Sequence, residues 1–247
     1  MSADQSADQS RAPAPVPVLE VRGLTATYGE ALALRGVDLT IAAGEVVTLV
    51  GRNGAGKTTL LRSVMGLHRA QTGSIALRGR DISALKPQAR ARLGVGWVPD
   101  NRGILASLSV SENLRLPPVV GERAWSMEQV HEAFPVLRER GSFPGTRLSG
   151  GEQQMLAIAR VLRMGCDLLL LDEPTEGLSP VLVTAIRDIV QVVKAQGTSV
   201  LLVEQNLRFA TTVADRHYLL AQGEIGQQLA NHEVKERHAE ILEYLGV

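Results

Sequence analysis

The stretch EVVTLVGRNGAGKTTLL, residues 45–61, decides the fold. Val46 to Val50 read as a strand buried on both faces, and the run ends in a glycine. GRNGAGKT, Gly51 to Thr58, then sets two glycines with four residues between them, followed by Lys and Thr, which is the spacing of a phosphate-cradling loop. A helix from Lys57 to about Leu67 continues the chain, so the loop has the strand before it and the helix after it that the pattern requires. Gly51, Gly54 and Gly56 let the backbone turn its N–H groups on an anion, with Arg52, Asn53 and Ala55 completing the loop. The positive end of the new helix points to the same place. Lys57 then reaches the outer phosphates of a nucleoside triphosphate, and the Thr58 hydroxyl, with Thr59 beside it, suits a Mg²⁺ ligand. The alternative is a glycine turn with a surface lysine, which the strand and helix on either side disfavour.

Outside this unit, composition sets bounds. The 247 residues suffice for one large domain or two small lobes. Lys and Arg total 26 and Asp and Glu total 26, so no global charge draws the chain to nucleic acid or an acidic surface. Cys166 is the only cysteine, which excludes an internal disulfide and reads as a buried, inert thiol. No apolar run approaches the ~18–20 residues of a membrane span, and the N-terminus lacks the basic and apolar parts of a signal peptide. The chain is therefore expected to stay in the cytoplasm.

Residues 1–17, with a tandem SADQ and alternating Ala and Pro, carry too little apolar surface to fold and are expected to be disordered. Residues 18–83 alternate like half-buried strands around the loop, as in VLEVRGLTATY, GVDLTI and GSIALRG. Residues 84–165 read as a helical insertion: VSENLRL starts at Ser109 or Ser111, SMEQVHEAFPVLRER opens with Ser126 three residues before Gln129, and Pro135 ends or kinks that helix. From residue 166 to 247, strands and helices alternate again, with a helix from about Pro180 to Gln196, a HYLLAQGEIGQQL hairpin and a terminal amphipathic helix N-capped by Asn231. Apolar strands separated by helices indicate a mainly parallel sheet covered on both faces, an α/β fold.

Two more segments carry chemistry. LLLLDEP, Leu168 to Pro174, is a buried strand whose carboxyl end delivers Asp172 and Glu173, and ligands of open α/β sheets bind beyond such ends. Asp172 is placed to hold Mg²⁺, whereas Glu173, its immediate neighbour, suits polarising a water that attacks the γ-phosphate. LSGGEQQ, Leu148 to Gln154, puts Ser149, Gly150 and Gly151 at a helix start. It reads either as a second anion cradle facing outward or as an ordinary capping box between Ser149 and Glu152.

GRNGAGKT, LSGGEQQ and LLLLDEP in this order resemble the Walker A loop, signature motif and Walker B strand of an ATP-binding cassette (ABC) ATPase, over about residues 18–245. The resemblance implies a P-loop NTPase (RecA-like) core, residues 18–83 and 166–247, with an N-terminal antiparallel β subdomain and an inserted α-helical subdomain, residues 84–165. It implies ATP and Mg²⁺ as cofactors, Tyr28 stacking on adenine, and Thr58, Asp172 and Asp100 around the metal. Lys57, Glu173 and Gln205 become its catalytic residues. Leu148, Ser149, Gly150, Gly151 and Glu152 would face the ATP of a partner cassette, since family members pair head to tail. The implied partners are that second cassette, different or identical, two membrane-spanning permease subunits and, indirectly, an external binding protein, with no nucleic acid. The implied seat is peripheral, on the cytoplasmic face of the membrane, with the segment around residues 100–118 touching the permease.

Three positions depart from the general family pattern. Asp100 stands in WVPDNRG where a Gln is usual, Ser179 in EPTEGLSP where an Asp is usual, and Gln205 in LLVEQN where most members carry a His. Gln can donate to phosphate but carries no titrating proton. Together with EQQMLAIAR and LLLLDEPTEGLSP, these resemble an ATPase of branched-chain amino-acid uptake systems, with urea or short-amide importers as close relatives. Two other readings stay open: a module that dimerises on ATP with little hydrolysis, and a soluble cassette acting on ribosomes or DNA. The intact Lys57, Thr58, Asp172 and Glu173 argue against the first, and the absence of a second cassette or long inserted arm argues against the other.

Overall fold

The computed structural model describes residues 15–245, so residues 1–14 of the expected tail lie outside the described part. The chain runs β1 (Leu19–Tyr28), β2 (Ala31–Ile41), β3 (Val46–Val50), α1 (Lys57–Met65), β4 (Thr72–Leu77), β5 (Arg80–Asp81), α2 (Pro87–Arg92) and β6 (Val95–Val98). It continues with α3 (Val110–Arg115), α4 (Met127–Ala133), α5 (Pro135–Glu139), a 3-10 turn at Gly145–Arg147 and α6 (Gly150–Leu162). It closes with β7 (Leu168–Asp172), α7 (Pro180–Ala195), β8 (Ser199–Glu204), α8 (Leu207–Val213), β9 (Arg216–Ala221), β10 (Glu224–Ala230), α9 (Asn231–Glu236) and α10 (His238–Leu245).

Two sheets form the frame. One is antiparallel with strand order β2-β1-β4-β5, and the other has the order β10-β9-β3-β8-β7-β6. In the second, β3, β6, β7, β8 and β9 run parallel and β10 pairs antiparallel with β9. All residues of β3, β7 and β8 are buried, as expected of strands covered on both faces. One face packs on α1 and the antiparallel sheet through Leu49, Leu60, Leu61, Leu170 and Val203. The other packs on α6 and α7 through Leu156, Ile186, Val190, Leu169 and Leu202. Register fixes what happens at the carboxyl edge: Val50 pairs with Glu204 and Asp172 with Val203, so the residues that follow these strands emerge side by side.

The expected inserted helical segment begins later than residue 84. Val95–Val98 is the edge strand of the parallel sheet, paired with Leu168–Leu171 of β7. Its glycines disguised it: Gly96 leaves no room for a side chain, since a Cβ would stand 2.9 Å from the Cys166 Sγ. Of the two candidate starts of α3, Ser109 is the cap, accepting from the Glu112 N–H, and Ser126 and Gln129 form the expected box on α4. Pro135 separates α4 from α5. The terminal amphipathic segment is two helices broken at Arg237 rather than one. Asn231 is not its cap, because its side chain turns inward, its Oδ1 lying 3.1 Å from His217 Nε2 and its Nδ2 donating to the Thr211 carbonyl. The free N–H of Ala230 is met instead by the Glu233 carboxylate at 2.6 Å.

Two arginines tie the layers together. Arg216 on β9 donates to Glu45 at 2.8 and 2.9 Å, to the Thr40 carbonyl of β2 at 2.8 Å and to the Tyr218 hydroxyl, joining the two sheets. Arg90 on α2 is buried with no carboxylate in its hydrogen-bond set; it donates to the carbonyls of Ser63 and Val64 at the end of α1 and to those of Ser83 and Leu85. Arg90→Met removes the donors of four carbonyls, two of them at a helix end, and is expected to cost about 2–4 kcal/mol of stability, seen as a lower urea midpoint at unchanged m.

Candidate active site

The loop after β3 closes on α1 as its glycines demand. Gly54 and Gly56 have φ of +81° and +108°, in the left-handed half of the map that glycine tolerates. Gly56 is also the helix N-cap, and no side chain caps α1, whereas α3, α4 and α6 each start with a serine capping box. The first N–H groups of α1 are thus left to an incoming anion. A Cβ on Gly56 would lie 2.6 Å from the Ala33 carbonyl and 2.9 Å from Leu34 Cδ2 of the antiparallel sheet. Gly56→Ala is therefore expected to weaken ADP binding at least about tenfold and to destabilise the protein by more than about 1 kcal/mol. Calorimetric titration and thermal unfolding check both.

Lys57 is only 4% exposed. Its ammonium donates to the carbonyls of Gly51 at 2.8 Å and Arg52 at 3.0 Å and pairs with the Glu173 carboxylate at 2.9 Å. Glu173 is thus held by Lys57. Its own backbone has φ +46°, a conformation that costs an L-residue about 1–3 kcal/mol and must be held by its surroundings.

Asp172 is buried, with Oδ1 accepting from the Thr58 hydroxyl at 3.2 Å and Oδ2 left without any partner. Burial, then the charges of Asp100 and Glu173, push its carboxyl up to about 6, against the opposing pull of Thr58 and Lys57. An orphaned carboxylate oxygen under a hydroxyl, raised by neighbouring negative charge, fits an oxygen-seeking divalent cation such as Mg²⁺. Among the described residues no group of three or more His, Cys, Asp or Glu could hold a metal by itself. A cation at Asp172 and Thr58 would therefore draw other ligands from phosphate and water.

A cleft of about 440 Å³ is lined by Tyr28, Ala33, Asn53, Gly54, Gly56, Lys57, Thr58, Thr59, Asp100, Glu173 and Glu176, with Asp172 buried behind Thr58. Tyr28, at the end of β1, is 48% exposed, lines the cleft and packs against His68 with ring centroids 4.5 Å apart and planes tilted by 38°. Arg52 is exposed outside that lining; Gly51 and Ala55 are buried beneath it. Glu176 and Ala33 were not foreseen from sequence. Glu176 could have been found as the acid three residues beyond Glu173, but Ala33 is brought in by a distant strand.

Other expected residues are placed differently. Gln205 is exposed at the end of β8 and does not line the cleft. Its neighbours are the engaged ones: Asn206 caps α8 by accepting from the Phe209 N–H, and Glu204 is buried against Thr175. In the signature segment, Ser149 and Gly150 are exposed at the start of α6, while Leu148 and Gly151 are buried. A Cβ on Gly151 would run into Leu182 of α7, so this glycine serves packing. The Ser149–Glu152 capping box is present, with Ser149 Oγ accepting from the Glu152 N–H and the Glu152 carboxylate from the Ser149 N–H at 2.7 Å. This outward helix start is therefore partly satisfied from within, unlike that of α1. Ser179 precedes α7 without forming a side-chain cap.

Comparison with known proteins agrees with this geometry. A family model described as ABC transporter matches residues 34–176. The high-affinity branched-chain amino acid transport ATP-binding protein BraG of Pseudomonas aeruginosa is 41% identical over 201 residues, 80% of this chain and 86% of that protein. The probable branched-chain amino acid transport ATP-binding protein LivF of Archaeoglobus fulgidus is 36% identical, covering 87% and 94%. The lipopolysaccharide export system ATP-binding protein LptB of Escherichia coli is 35% identical, covering 84% and 88%. A nucleotide-free ATP-binding cassette shares the fold with a TM-score of 0.81 at 24% identity, over 94% of this chain and 99% of that one. A dimeric cassette solved in a post-hydrolysis state with ADP and Pi gives a TM-score of 0.78 at 25% identity, over 86% and 98%. With Lys57, Thr58 and Glu173 in one cleft, Asp172 buried against Thr58, and relatives of this kind along most of its length, the chain belongs to the ABC transporter family and is an ATP-binding, ATP-hydrolysing subunit.

Proposed function

We propose that this ATPase powers uptake of branched-chain amino acids, sitting peripherally on the cytoplasmic face of a membrane against two permease subunits and pairing with a second cassette. The observation that carries the substrate is the 41% identity to BraG along 80% of the chain, supported by the strand end that carries Gln205 in place of the usual His. No helix among the described residues is long and apolar enough to cross a membrane, so a permease must supply the spanning segments.

In the proposed cycle, ATP enters with its base on Tyr28 and its phosphates under the open N–H groups of α1. Lys57 exchanges Glu173 for phosphate oxygens, and the released carboxylate turns to the attacking water. Thr58 and Asp172 would hold Mg²⁺, with Asp100 nearby, and the ion would supply positive charge against the phosphates. Ser149 and Gly150 of each cassette face the nucleotide of the other, and Gln205 donates to the γ-phosphate once the dimer closes. Reconstituted in vesicles with its permease, the ATPase should be stimulated by a binding protein loaded with leucine, isoleucine or valine. Stimulation by a urea- or amide-loaded binding protein instead would overturn the substrate. A second reading, an export cassette, is favoured by the 36% identity to LptB of Acidithiobacillus ferridurans; turnover coupled to extraction of lipopolysaccharide would establish it.

A further inference from the structure

Glu204 ends β8 with its side chain only 3% exposed, beside the cleft and outside its lining. Three donors converge on its carboxylate. Oε1 accepts from the Thr175 hydroxyl at 2.7 Å and from the Thr175 N–H at 3.3 Å, and Oε2 accepts from the Asn206 N–H at 3.3 Å. Burial raises its carboxyl, and the bonds from Thr175 and Asn206 pull the other way. An ionised carboxylate is acceptor-only at both oxygens, which is what three converging donors require; an amide would aim its NH₂ at one of them. The backbone here is equally committed. The Glu204 carbonyl accepts from the Gly51 N–H at 3.4 Å, and the Val203 carbonyl accepts from the Glu173 N–H at 3.0 Å.

Glu173 keeps its left-handed backbone between two anchors: Val203 grips its own N–H, and Glu204 grips Thr175 two residues on. We infer that Glu204 is a positioning residue for hydrolysis, holding the Glu173–Thr175 turn through the Thr175 hydroxyl so that the Glu173 carboxylate, once it leaves Lys57, is aimed at the attacking water. The inference rests on the role proposed for Glu173 above. Because Glu204 also binds the N–H of Asn206, the same carboxylate joins this turn to the residue after Gln205.

The test separates positioning from simple structural support. In the full chain, Thr175→Val removes the hydroxyl at nearly constant shape, Thr175→Ser restores it, and Glu204→Gln keeps an acceptor for Thr175 but turns an NH₂ toward Asn206. Phosphate release at saturating MgATP, the Kd for ADP and the unfolding temperature are measured for each. The expected result is a fall in kcat of about 10- to 100-fold in Thr175→Val, with the ADP Kd within about twofold of wild type, and a smaller fall in Glu204→Gln, which keeps the Thr175 contact. Thr175→Ser, which keeps the hydroxyl against Glu204, retains most of the turnover. A fall of kcat, ADP affinity and unfolding temperature in parallel, or full turnover in Thr175→Val, would overturn the inference. Glu173→Gln run alongside distinguishes the two failures: if it turns over at the wild-type rate the role of Glu173 itself is wrong, and if it is silent while Thr175→Val is active only the role of Glu204 is wrong.

Discussion

Glu173→Gln is expected to lower ATP turnover by about 100- to 10,000-fold, the usual contribution of a group that takes or orients the proton of the nucleophile. Gln has the same shape, so the turn at φ +46° and the bond from the Glu173 N–H to the Val203 carbonyl should persist. What changes is charge. The carboxylate lies 2.9 Å from the Lys57 ammonium, where it would compete with phosphate for that cation. Once neutral it no longer competes, nor does it repel the γ-phosphate. Nucleotide affinity should therefore hold or rise while hydrolysis collapses, and ADP calorimetry beside a phosphate-release assay reads the split. Turnover near the wild-type rate would show that another group acts on the water.

Lys57→Ala should fail in the opposite order, at binding first. The ammonium is buried among two loop carbonyls and one carboxylate, so truncation removes the cradle's cation and the bonds to the Gly51 and Arg52 carbonyls, of which Arg52 keeps the Ala55 N–H. Losing a charge-assisted contact to phosphate corresponds to about 2–3 kcal/mol, or about 30- to 150-fold in Kd for ATP. Glu173, whose side chain is 15% exposed, then has no countercharge in the cleft and adds its repulsion to that loss. An ATP Kd within twofold of wild type would mean that Lys57 contributes little to the affinity.

Much of this was readable in the chain because the decisive residues are local. Gly51 to Thr58 must form a cradle wherever a buried strand meets a helix, and an apolar run ending at Asp172 must put that acid at the sheet's carboxyl edge. Neighbours that meet only through register were less legible. Val95–Val98 was hidden in a helical segment because Gly94 and Gly96 break the apolar pattern, although Gly96 is there to let Val161 and Cys166 approach. Asn231 has the chemistry of a cap, yet the buried His217 ring claims its side chain. The end of β8 shows the same limit: Gln205 drew attention as a departure from the family pattern, while Glu204, buried one residue earlier, holds the hydrogen bonds. Nothing in its immediate sequence reveals that Thr175, 29 residues away, is its partner.

The junction of the two sheets has one more consequence. Arg216 bolts Thr40 of β2 to Glu45 just before β3, the Gly223 N–H bonds the Ala55 carbonyl, and the Arg35 N–H bonds the Gly223 carbonyl. Tyr28 at the end of β1, paired with Ala31 of β2, and the loop from Gly51 to Thr58 are thereby carried on one frame, like the jaws of a caliper. A substitution at Arg216, outside the cleft, is thus expected to disturb its width without changing any residue that lines it.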